Sequence, residues 1–325
     1  MKTFIQILKW TFIVLLVAIG AFLIFVFSNQ GKVYDAPYPD ISATTDSTDL
    51  ARGEYLVYGP AHCSGCHSPM ENQMGIREGK HLPLKGGFLF DLPVAKLYSP
   101  NITPDEETGI GKLTDQQIAR SLRYGVGYDG RAIFDFMPFH NLCDDDLRAV
   151  ISYMRSQEPV KNAIPPRELN LLGKIIYATI IKPVGPEEGV EIPKSVHPDT
   201  TSEYGHYLAT YVANCRGCHT NRDLKTGAYI GDFYAGGFAM PSGMEPGKAV
   251  VSPNLTPEPE TGRIAGWSEQ KFIERMRQGR VIPISEMPWE QFQQMTDNDL
   301  KAIYAFLQTL PAVKNDPGPT IIDLK

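Results

Sequence analysis

Two short cysteine-containing motifs are the residues of this chain best suited to chemistry. Residues 63–67 read CSGCH and residues 215–219 read CRGCH, so one repeated pattern uses four of the five cysteines. Paired cysteines of this spacing occur in zinc sites, in thiol–disulfide redox sites and in covalent haem sites. The pairs lie 152 residues apart in separate repeats, which disfavours one shared four-ligand zinc. The sequence lacks the βαβ pattern of a thioredoxin-like site, and neither of these chemistries requires the histidine.

The histidine after each cysteine pair favours covalent haem attachment. On a helical turn, two cysteines three positions apart can reach the two vinyl groups of one porphyrin, and the next residue projects toward the iron. The sequence therefore predicts two covalently bound haem c groups. The residues predicted to attach them are Cys63, Cys66, Cys215 and Cys218, and those predicted to bind iron are His67 and His219.

The occupant of the sixth iron position decides the chemistry, because a vacant or weakly held position admits oxygen or peroxide. A protein ligand should recur in both repeats. Met137 and Met287 do so, each followed by proline, at 70 and 68 residues beyond their histidines. We predict that both bind iron, whereas a single unmatched methionine would be interpreted as core filling. His140 is the rival ligand, and the simpler interpretation of His140 is a surface-loop histidine.

Further matched polar residues could contact haem propionates or brace the backbone. They are Arg123 and Arg277, followed by Arg131 and Arg280, together with Asn101 and Asn254 in a repeated loop. The fifth cysteine, Cys143, aligns with Thr296 at the start of a predicted helix. This alignment indicates a substituted helix cap rather than a reactive thiol.

An internal duplication organises most of the chain. The segment RGEYLVYGPAHCSGCH at 52–67 aligns with YGHYLATYVANCRGCH at 204–219, and SPNITPDEETG at 99–109 recurs as SPNLTPEPETG at 252–262. The offset stays between 150 and 154, so two homologous domains are predicted. The predicted boundaries are 45–160 for the first domain, 161–200 for an interdomain linker, 201–315 for the second domain and 316–325 for a C-terminal tail.

Each repeat contains three helix candidates and few period-2 runs, which predicts a mainly α fold. The first candidate leads into the cysteine motif. The second is LTDQQIARSLRYG in one copy, bounded by a capping box at Thr114 and Gln117 and by Gly125. The third begins at CDDDL or TDNDL and carries a one-sided apolar stripe, with Thr296 and Asp299 as the capping box of the second copy.

The N-terminus differs in composition from the rest of the chain. Residues 10–27, WTFIVLLVAIGAFLIFVF, run for eighteen positions without a charge, which matches the length needed to cross a bilayer. The run exceeds the apolar part of a signal peptide, and no small-residue cleavage site follows it. Lys2 and Lys9 precede it, which predicts a cytoplasmic N-terminus. We expect residues 1–30 to form an uncleaved single-pass anchor in the cytoplasmic membrane, with the haem domains in the periplasm.

The predicted linker contains a second apolar stretch, LLGKIIYATII at 171–181. It is too short to span a bilayer, and Lys174 interrupts it. We expect it to pack on the domains or to lie at the membrane surface.

Composition excludes several classes of protein. With 325 residues, 42% hydrophobic and 21% charged, the chain can form two domains with real cores and is not disordered. A net charge of -6 and the lack of a basic run argue against nucleic-acid binding. Five cysteines are too few for a disulfide framework at this length.

With the motifs placed, each repeat resembles a class I cytochrome c domain, in which a first helix, CxxCH and a crossing C-terminal helix recur. Gly53 and Gly205 would suit that crossing, where backbones approach closely. Three features carry a narrower resemblance, to a group of membrane-anchored subunits. They are the segment SPNITPDEETGIG, the MPF and MPW segments, and the TDxDL helix start. The group consists of the cytochrome c subunits of periplasmic alcohol, aldehyde and gluconate dehydrogenase complexes, and the resemblance covers roughly residues 50–315. Members of that group often carry three haem domains, whereas this chain has two CxxCH motifs.

The resemblance implies an electron-transfer protein rather than an enzyme. The expected donor is a dehydrogenase or a quinol-oxidising complex, and the expected acceptor is a terminal oxidase or another cytochrome. The alternative is a dihaem peroxidase-type or thiosulfate-type oxidoreductase with one exchangeable haem ligand, which the paired methionines argue against. A structural or assembly subunit of a respiratory complex is a further alternative.

Overall fold

The structure is a computed structural model that describes residues 2–223 and 227–324. We call residues 45–160 the first half and residues 201–315 the second half. The helices are α1 (Lys2–Asn29), α2 (Ser47–Tyr58), α3 (Cys63–Cys66), α4 (Gln73–Arg77), α5 (Asp115–Tyr124), α6 (Asp144–Ser156), α7 (Leu171–Thr179), α8 (Ser202–Tyr207), α9 (Cys215–Cys218), α10 (Glu269–Arg277), α11 (Trp289–Phe292) and α12 (Asp297–Thr309). The strands are β1 (Leu89–Leu92), β2 (Ala95–Tyr98), β3 (Glu168–Leu169), β4 (Ala239–Pro241), β5 (Lys248–Val251) and β6 (Ile321–Asp323). The mainly helical prediction is confirmed.

The apolar N-terminus forms the single long helix α1. Its side chains are almost all exposed, and Val26 near its C-terminal end is its one buried residue. Within residues 2–223 and 227–324, it alone is long and apolar enough to cross a membrane. These properties suit a membrane-spanning segment, because apolar side chains that the protein leaves uncovered contact lipid instead of water there.

The first and last helices of each half cross at a glycine. A methyl group on Gly53 of α2 would overlap the carbonyl of Ala149 in α6, and one on Gly205 of α8 would overlap the carbonyl of Ala302 in α12. A side chain at either glycine would hold the two backbones apart. The expectation that these glycines permit a close helix crossing is confirmed.

Side-chain caps fix most of the predicted helix starts. Thr114 and Gln117 form the predicted capping box of α5. Cys143 caps α6, since its Sγ accepts from the Asp146 backbone N–H at 3.4 Å, so the substituted cap is confirmed. The capping box predicted for α12 is only half right. Thr296 caps the helix, but its own N–H donates to the Tyr55 hydroxyl at 3.0 Å.

Two small antiparallel sheets, β1–β2–β3 and β4–β5–β6, lie beside the helices. The third strand of each comes from a segment that follows the half, β3 from the predicted linker and β6 from the predicted tail. The carbonyls of Val160 and Val313, just before these segments, accept from the side-chain amides of Asn101 and Asn254. The linker and the tail therefore complete the sheets of their halves instead of only connecting elements.

The apolar linker stretch forms α7, which packs against both the folded body and α1. Its buried residues are Gly173, which lies on Val94 of the β1–β2 turn, and Tyr177. The Lys174 ammonium lies 4.9 Å from the ring centroid of Phe27 in α1. Packing on the body, one of the two expectations for this stretch, is confirmed.

The two halves share one continuous core and exchange matching contacts. Tyr55 of α2 reaches the second half, where its hydroxyl donates to Asp299 and accepts from the Thr296 N–H. Tyr207 of α8 reaches the first half, where its hydroxyl donates to Asp146 at 2.7 Å. Each first helix thus bonds to the start of the other half's last helix. Because Asp146, Asp299 and Tyr207 are buried, their hydrogen bonds fix how the halves sit together.

Candidate haem-binding sites

Each CxxCH motif folds as one helical turn, α3 or α9. The residue before the turn is left-handed in both halves, His62 with φ 42° and Asn214 with φ 51°. The histidine at the end of each turn closes it, donating its N–H to the Cys63 or Cys215 carbonyl at 2.8 Å. The structure therefore keeps both cysteines and the histidine of a motif on one compact turn.

The two motif histidines are prepared for metal binding in the same way. Nδ1 of His67 lies 2.9 Å from the Pro100 carbonyl oxygen, and Nδ1 of His219 lies 3.0 Å from that of Pro253. A carbonyl oxygen can only accept, so Nδ1 carries the proton and Nε2 keeps its lone pair. Burial lowers the pKa of both imidazoles and outweighs the hydrogen bond to the carbonyl, which acts to raise the pKa. The neutral ring is therefore favoured. A neutral imidazole oriented through its other nitrogen is the form that binds iron.

The four motif cysteines are held as neutral thiols. Burial raises the pKa of the Cys63 and Cys215 thiols to about 12 and that of Cys66 to about 11, and it also raises the pKa of Cys218. Reactive redox cysteines have the opposite shift, because the thiolate is the nucleophile. The environment therefore disfavours a thioredoxin-like site. Two thiols and one neutral imidazole on each turn form a donor set that fits covalent haem c.

The two candidate methionine ligands lie in matching turns. Both are half-buried against the core, and both carbonyls accept an N–H from the residue two positions on, Phe139 or Trp289, at 2.8 Å. In the second half, Arg280 ion-pairs with Glu290 at 2.7 Å and donates to the Met287 carbonyl at 3.2 Å. The binding of Met137 and Met287 to iron stays a prediction.

His140 is poorly suited to be a ligand. The interpretation as a surface-loop histidine is wrong, because the residue is 8% exposed. Its Nδ1 lies 3.1 Å from the Leu122 carbonyl and its Nε2 lies 3.0 Å from Asp135. With both ring nitrogens engaged by protein groups, iron binding would cost it at least one of these bonds.

The matched arginines brace the backbone near the methionine segments. Arg123 donates to the Leu142 carbonyl and to Asp144, both at 2.7 Å. Arg277 repeats both contacts in the second half, at the Met295 carbonyl and Asp297. The bracing role, rather than propionate binding, is the one these contacts support.

The matched asparagines also brace the backbone. The side-chain oxygen of buried Asn101 accepts from the N–H and hydroxyl of Thr103, and that of Asn254 accepts from the same groups of Thr256. Together with their bonds to the carbonyls before β3 and β6, these contacts fix the repeated loop. Propionate binding is again the less supported of the two expected roles.

Sequence reasoning missed two features of these sites. The carbonyls that orient the histidines belong to Pro100 and Pro253, inside the repeated SPN segment. The sequence showed that this segment recurs but did not show that its proline carbonyls bind the histidines. A contact between the first CxxCH turn and α11 of the second half was also missed. The Gln291 amide donates to Ser64 inside CSGCH at 3.4 Å, and its neighbour Phe292 lies 5.8 Å from the His62 ring. No local pattern in the sequence indicated these partners.

Comparison with known proteins agrees with this geometry. The family model described as "Cytochrome C oxidase, cbb3-type, subunit III" matches residues 206–307, which contain the second CxxCH motif and Met287. The match covers the second half only and identifies a cytochrome c domain there.

Three curated relatives extend the similarity over most of the chain. The fructose dehydrogenase cytochrome subunit of Gluconobacter japonicus is 27% identical over 305 residues, which is 89% of this chain and 58% of the relative. The cytochrome c subunit of the alcohol dehydrogenase (quinone) of Gluconobacter oxydans (strain 621H) is 30% identical over 286 residues, 82% of this chain and 56% of the relative. A diheme cytochrome c-type protein of Cereibacter sphaeroides is 26% identical over 285 residues, covering 82% and 87%.

The chain spans a little over half the length of the two dehydrogenase subunits. The relationship implies covalently bound haem c and a role in electron transfer. The resemblance predicted from the sequence is confirmed: this chain contains a cytochrome c domain and is a homologue of the cytochrome c subunits of fructose and alcohol dehydrogenase complexes.

Proposed function

We propose that this protein is a membrane-anchored dihaem cytochrome c that carries electrons as a subunit or partner of a dehydrogenase complex. The proposal includes two cytochrome c domains, at 45–160 and 201–315, each holding one haem c. The observation that carries it is the repeated histidine geometry, in which His67 and His219 both present a neutral Nε2 because a proline carbonyl binds Nδ1. The dihaem relative supports the count of two.

The proposed roles follow from the donor chemistry. The thiols of Cys63, Cys66, Cys215 and Cys218 would hold the porphyrins, and His67, Met137, His219 and Met287 would hold the irons. Bound haem c supplies a one-electron redox couple. The protein contributes axial ligands, a dry environment and fixed positions for the two sites. A methionine and a histidine at each iron would close it to exogenous ligands, as a carrier requires.

The contact between the halves supports transfer within one chain. Ser64 of the first attachment turn bonds to Gln291, four residues after Met287 of the second half. The shared core and the exchanged tyrosine contacts hold the two candidate sites in this arrangement. In this arrangement, electrons would pass between the two sites within one chain.

We further propose that α1 anchors the protein in the cytoplasmic membrane with its N-terminus in the cytoplasm and both halves in the periplasm. The relatives support a dehydrogenase as the donor, and a quinol-oxidising complex is the second candidate. The proposed acceptor is a terminal oxidase or another cytochrome. Purification of the full chain from detergent-solubilised membranes, followed by identification of the co-purifying redox enzyme, tests these partners.

Haem counting tests the central proposal. The intact mass of the purified full chain should exceed the polypeptide mass by two haem groups, and acid–acetone should leave the colour on the protein. A Cys63→Ala/Cys66→Ala variant should lose one covalent haem. Cys143→Ser is the matched control and should keep both, since serine retains the cap of α6. Colour extracted from the wild-type chain, or a mass that is short of two groups, would contradict the proposal.

Carbon monoxide distinguishes the carrier from the peroxidase-type or thiosulfate-type alternative. The reduced wild-type protein should bind carbon monoxide slowly or not at all. Fast binding of one equivalent would show an exchangeable ligand position and would favour the enzyme.

A further inference from the structure

The helix α7 in the segment between the halves presents apolar side chains that the protein does not cover. Leu171, Leu172 and Ile180, in and next to α7, are 52%, 55% and 57% exposed. The side of the helix away from the two leucines is buried on the body at Gly173 and Tyr177. Adjacent exposed leucines on a helix that packs on the body indicate contact with another phase or molecule.

The position of α7 relative to α1 indicates what covers it. The apolar run of α1 ends at Phe27, and an eighteen-residue helical run is about 27 Å long, close to the hydrocarbon thickness of a bilayer. The Lys174 ammonium of α7 lies 4.9 Å from the Phe27 ring, so α7 sits at the depth where α1 leaves the hydrocarbon.

The junction between α1 and the body fixes this depth. Arg167 donates to the Gln30 carbonyl at 3.4 Å, and the Tyr34 hydroxyl donates to the Ile181 carbonyl at 3.0 Å, so residues on both sides of α7 bond to the chain just after α1. The Tyr34 N–H also donates to the Gly130 carbonyl at 2.8 Å. With these bonds in place, α7 cannot move away from the membrane without breaking the junction.

We propose that α7 is an interfacial helix that lies in the surface of the bilayer spanned by α1. Its exposed leucines, Leu171 and Leu172, enter the acyl region, and the cationic side chains of Lys174 and Lys182 reach the level of the phosphate groups. The inference rests on the proposed membrane anchoring by α1 and adds a second membrane contact to it.

The helix also determines which part of the protein lies at the membrane. Tyr177 on the buried face of α7 packs edge-on against Phe134, with 5.2 Å between ring centroids. Phe134 precedes the candidate ligand Met137 by three residues. The interfacial helix thereby holds the Met137 segment of the first half beside the bilayer.

Cysteine accessibility tests the proposal in the full chain reconstituted in phosphatidylcholine nanodiscs. Three single variants are compared for their rate of reaction with a charged maleimide, measured by intact mass. They are Leu172→Cys in α7, Val281→Cys, which is equally exposed at 55% but lies in the second half, and Leu16→Cys inside the apolar run of α1. Cys143 is fully buried in the wild-type chain and gives the background.

Lipid contact should slow labelling at position 172 by about tenfold or more relative to position 281, because the reactive thiolate is costly in a bilayer. A diazirine-bearing phosphatidylcholine should also form adducts within residues 171–180. Labelling of Leu172→Cys as fast as Val281→Cys, with Leu16→Cys protected, would overturn the interfacial helix and leave the anchor intact. Fast labelling of Leu16→Cys would refute the anchor and the inference with it. Protection at 172 without lipid adducts would indicate a protein–protein contact and would also overturn the proposal.

Discussion

Replacing Gly53 by alanine tests the close helix crossing on which the fold of the first half depends. A Cβ at this position would lie 2.7 Å from the Cβ of Tyr153 and would overlap the Ala149 carbonyl. Carbon atoms in favourable contact are about 3.5–4.0 Å apart, so α2 and α6 would have to separate by roughly 1 Å. Separation at this point would disturb the packing of both helices around the first CxxCH turn.

The expected loss of stability combines two effects of opposite sign. Overpacking of this kind costs about 1–3 kcal/mol, occasionally more. Alanine in a helix recovers about 0.5–1 kcal/mol relative to glycine. A net loss of about 1 kcal/mol would lower the melting temperature by roughly 2–4 °C, the shift expected for domains of about 150–250 residues.

Thermal unfolding of the purified haem-loaded chain, followed by circular dichroism, measures this change. Gly31→Ala is the control, because nothing lies within 4 Å of a Cβ at Gly31, and it should melt like the wild type. If Gly53→Ala melted at the wild-type temperature, the close approach of α2 and α6 would be refuted.

Three further predictions concern the interface, a loop carboxylate and an iron ligand. Tyr207→Phe should destabilise the fold by about 1.5–3 kcal/mol in chemical denaturation, because the buried Asp146 carboxylate loses a hydrogen-bond donor. Bonds from the Thr108 hydroxyl and N–H lower the pKa of Asp105, so the ionised carboxylate stabilises the fold above its ordinary pKa near pH 4. The stability difference between wild type and Asp105→Asn should therefore be largest above about pH 5 and should shrink as pH falls through the folded-state pKa. Met137→Ala should let the reduced protein bind one equivalent of carbon monoxide, measured by its absorbance spectrum.

Each of these variants has a control and an outcome that would contradict it. Tyr211→Phe, at a half-buried tyrosine outside the exchanged contacts, should leave the unfolding free energy nearly unchanged. A Tyr207→Phe protein as stable as the wild type would mean that the exchanged contact contributes nothing. A pH-independent difference for Asp105→Asn would exclude ionisation as its cause. His140→Ala is the control for Met137→Ala, and the ligand assignment is wrong if His140→Ala alone opens the iron to carbon monoxide.

Much of the local structure was predictable because it depends on neighbours in the sequence. The capping box at Thr114, the cap at Cys143 and the single-turn CxxCH motifs each involve groups three or four residues apart. The close approach at Gly53 was also predictable, since only glycine suits a crossing of this kind. The duplication then allowed each feature to be checked against its counterpart.

Other features could not be read from local patterns. The hydroxyl of Tyr55 binds at the start of α12, more than 240 residues away, and takes the place expected for the Asp299 side chain. The burial of His140 between Leu122 and Asp135 depends on how α5 packs against the methionine segment. Strand β3 is two residues long, too short for a period-2 pattern to reveal it.

The sequence by itself predicted the chemistry of each candidate site and the repeat that carries it, because CxxCH depends on residue types at short spacing and the repeat on a nearly constant offset. It also determined that α1 can cross a membrane, since length and hydropathy set that property. Only the tertiary structure decided the tautomer of His67, the contact between Gln291 and Ser64, and the packing of α7 against α1. These features depend on which distant groups come together when the core is buried. A hydrogen bond between residues far apart in the sequence produces no periodic pattern of residue types from which it could be predicted.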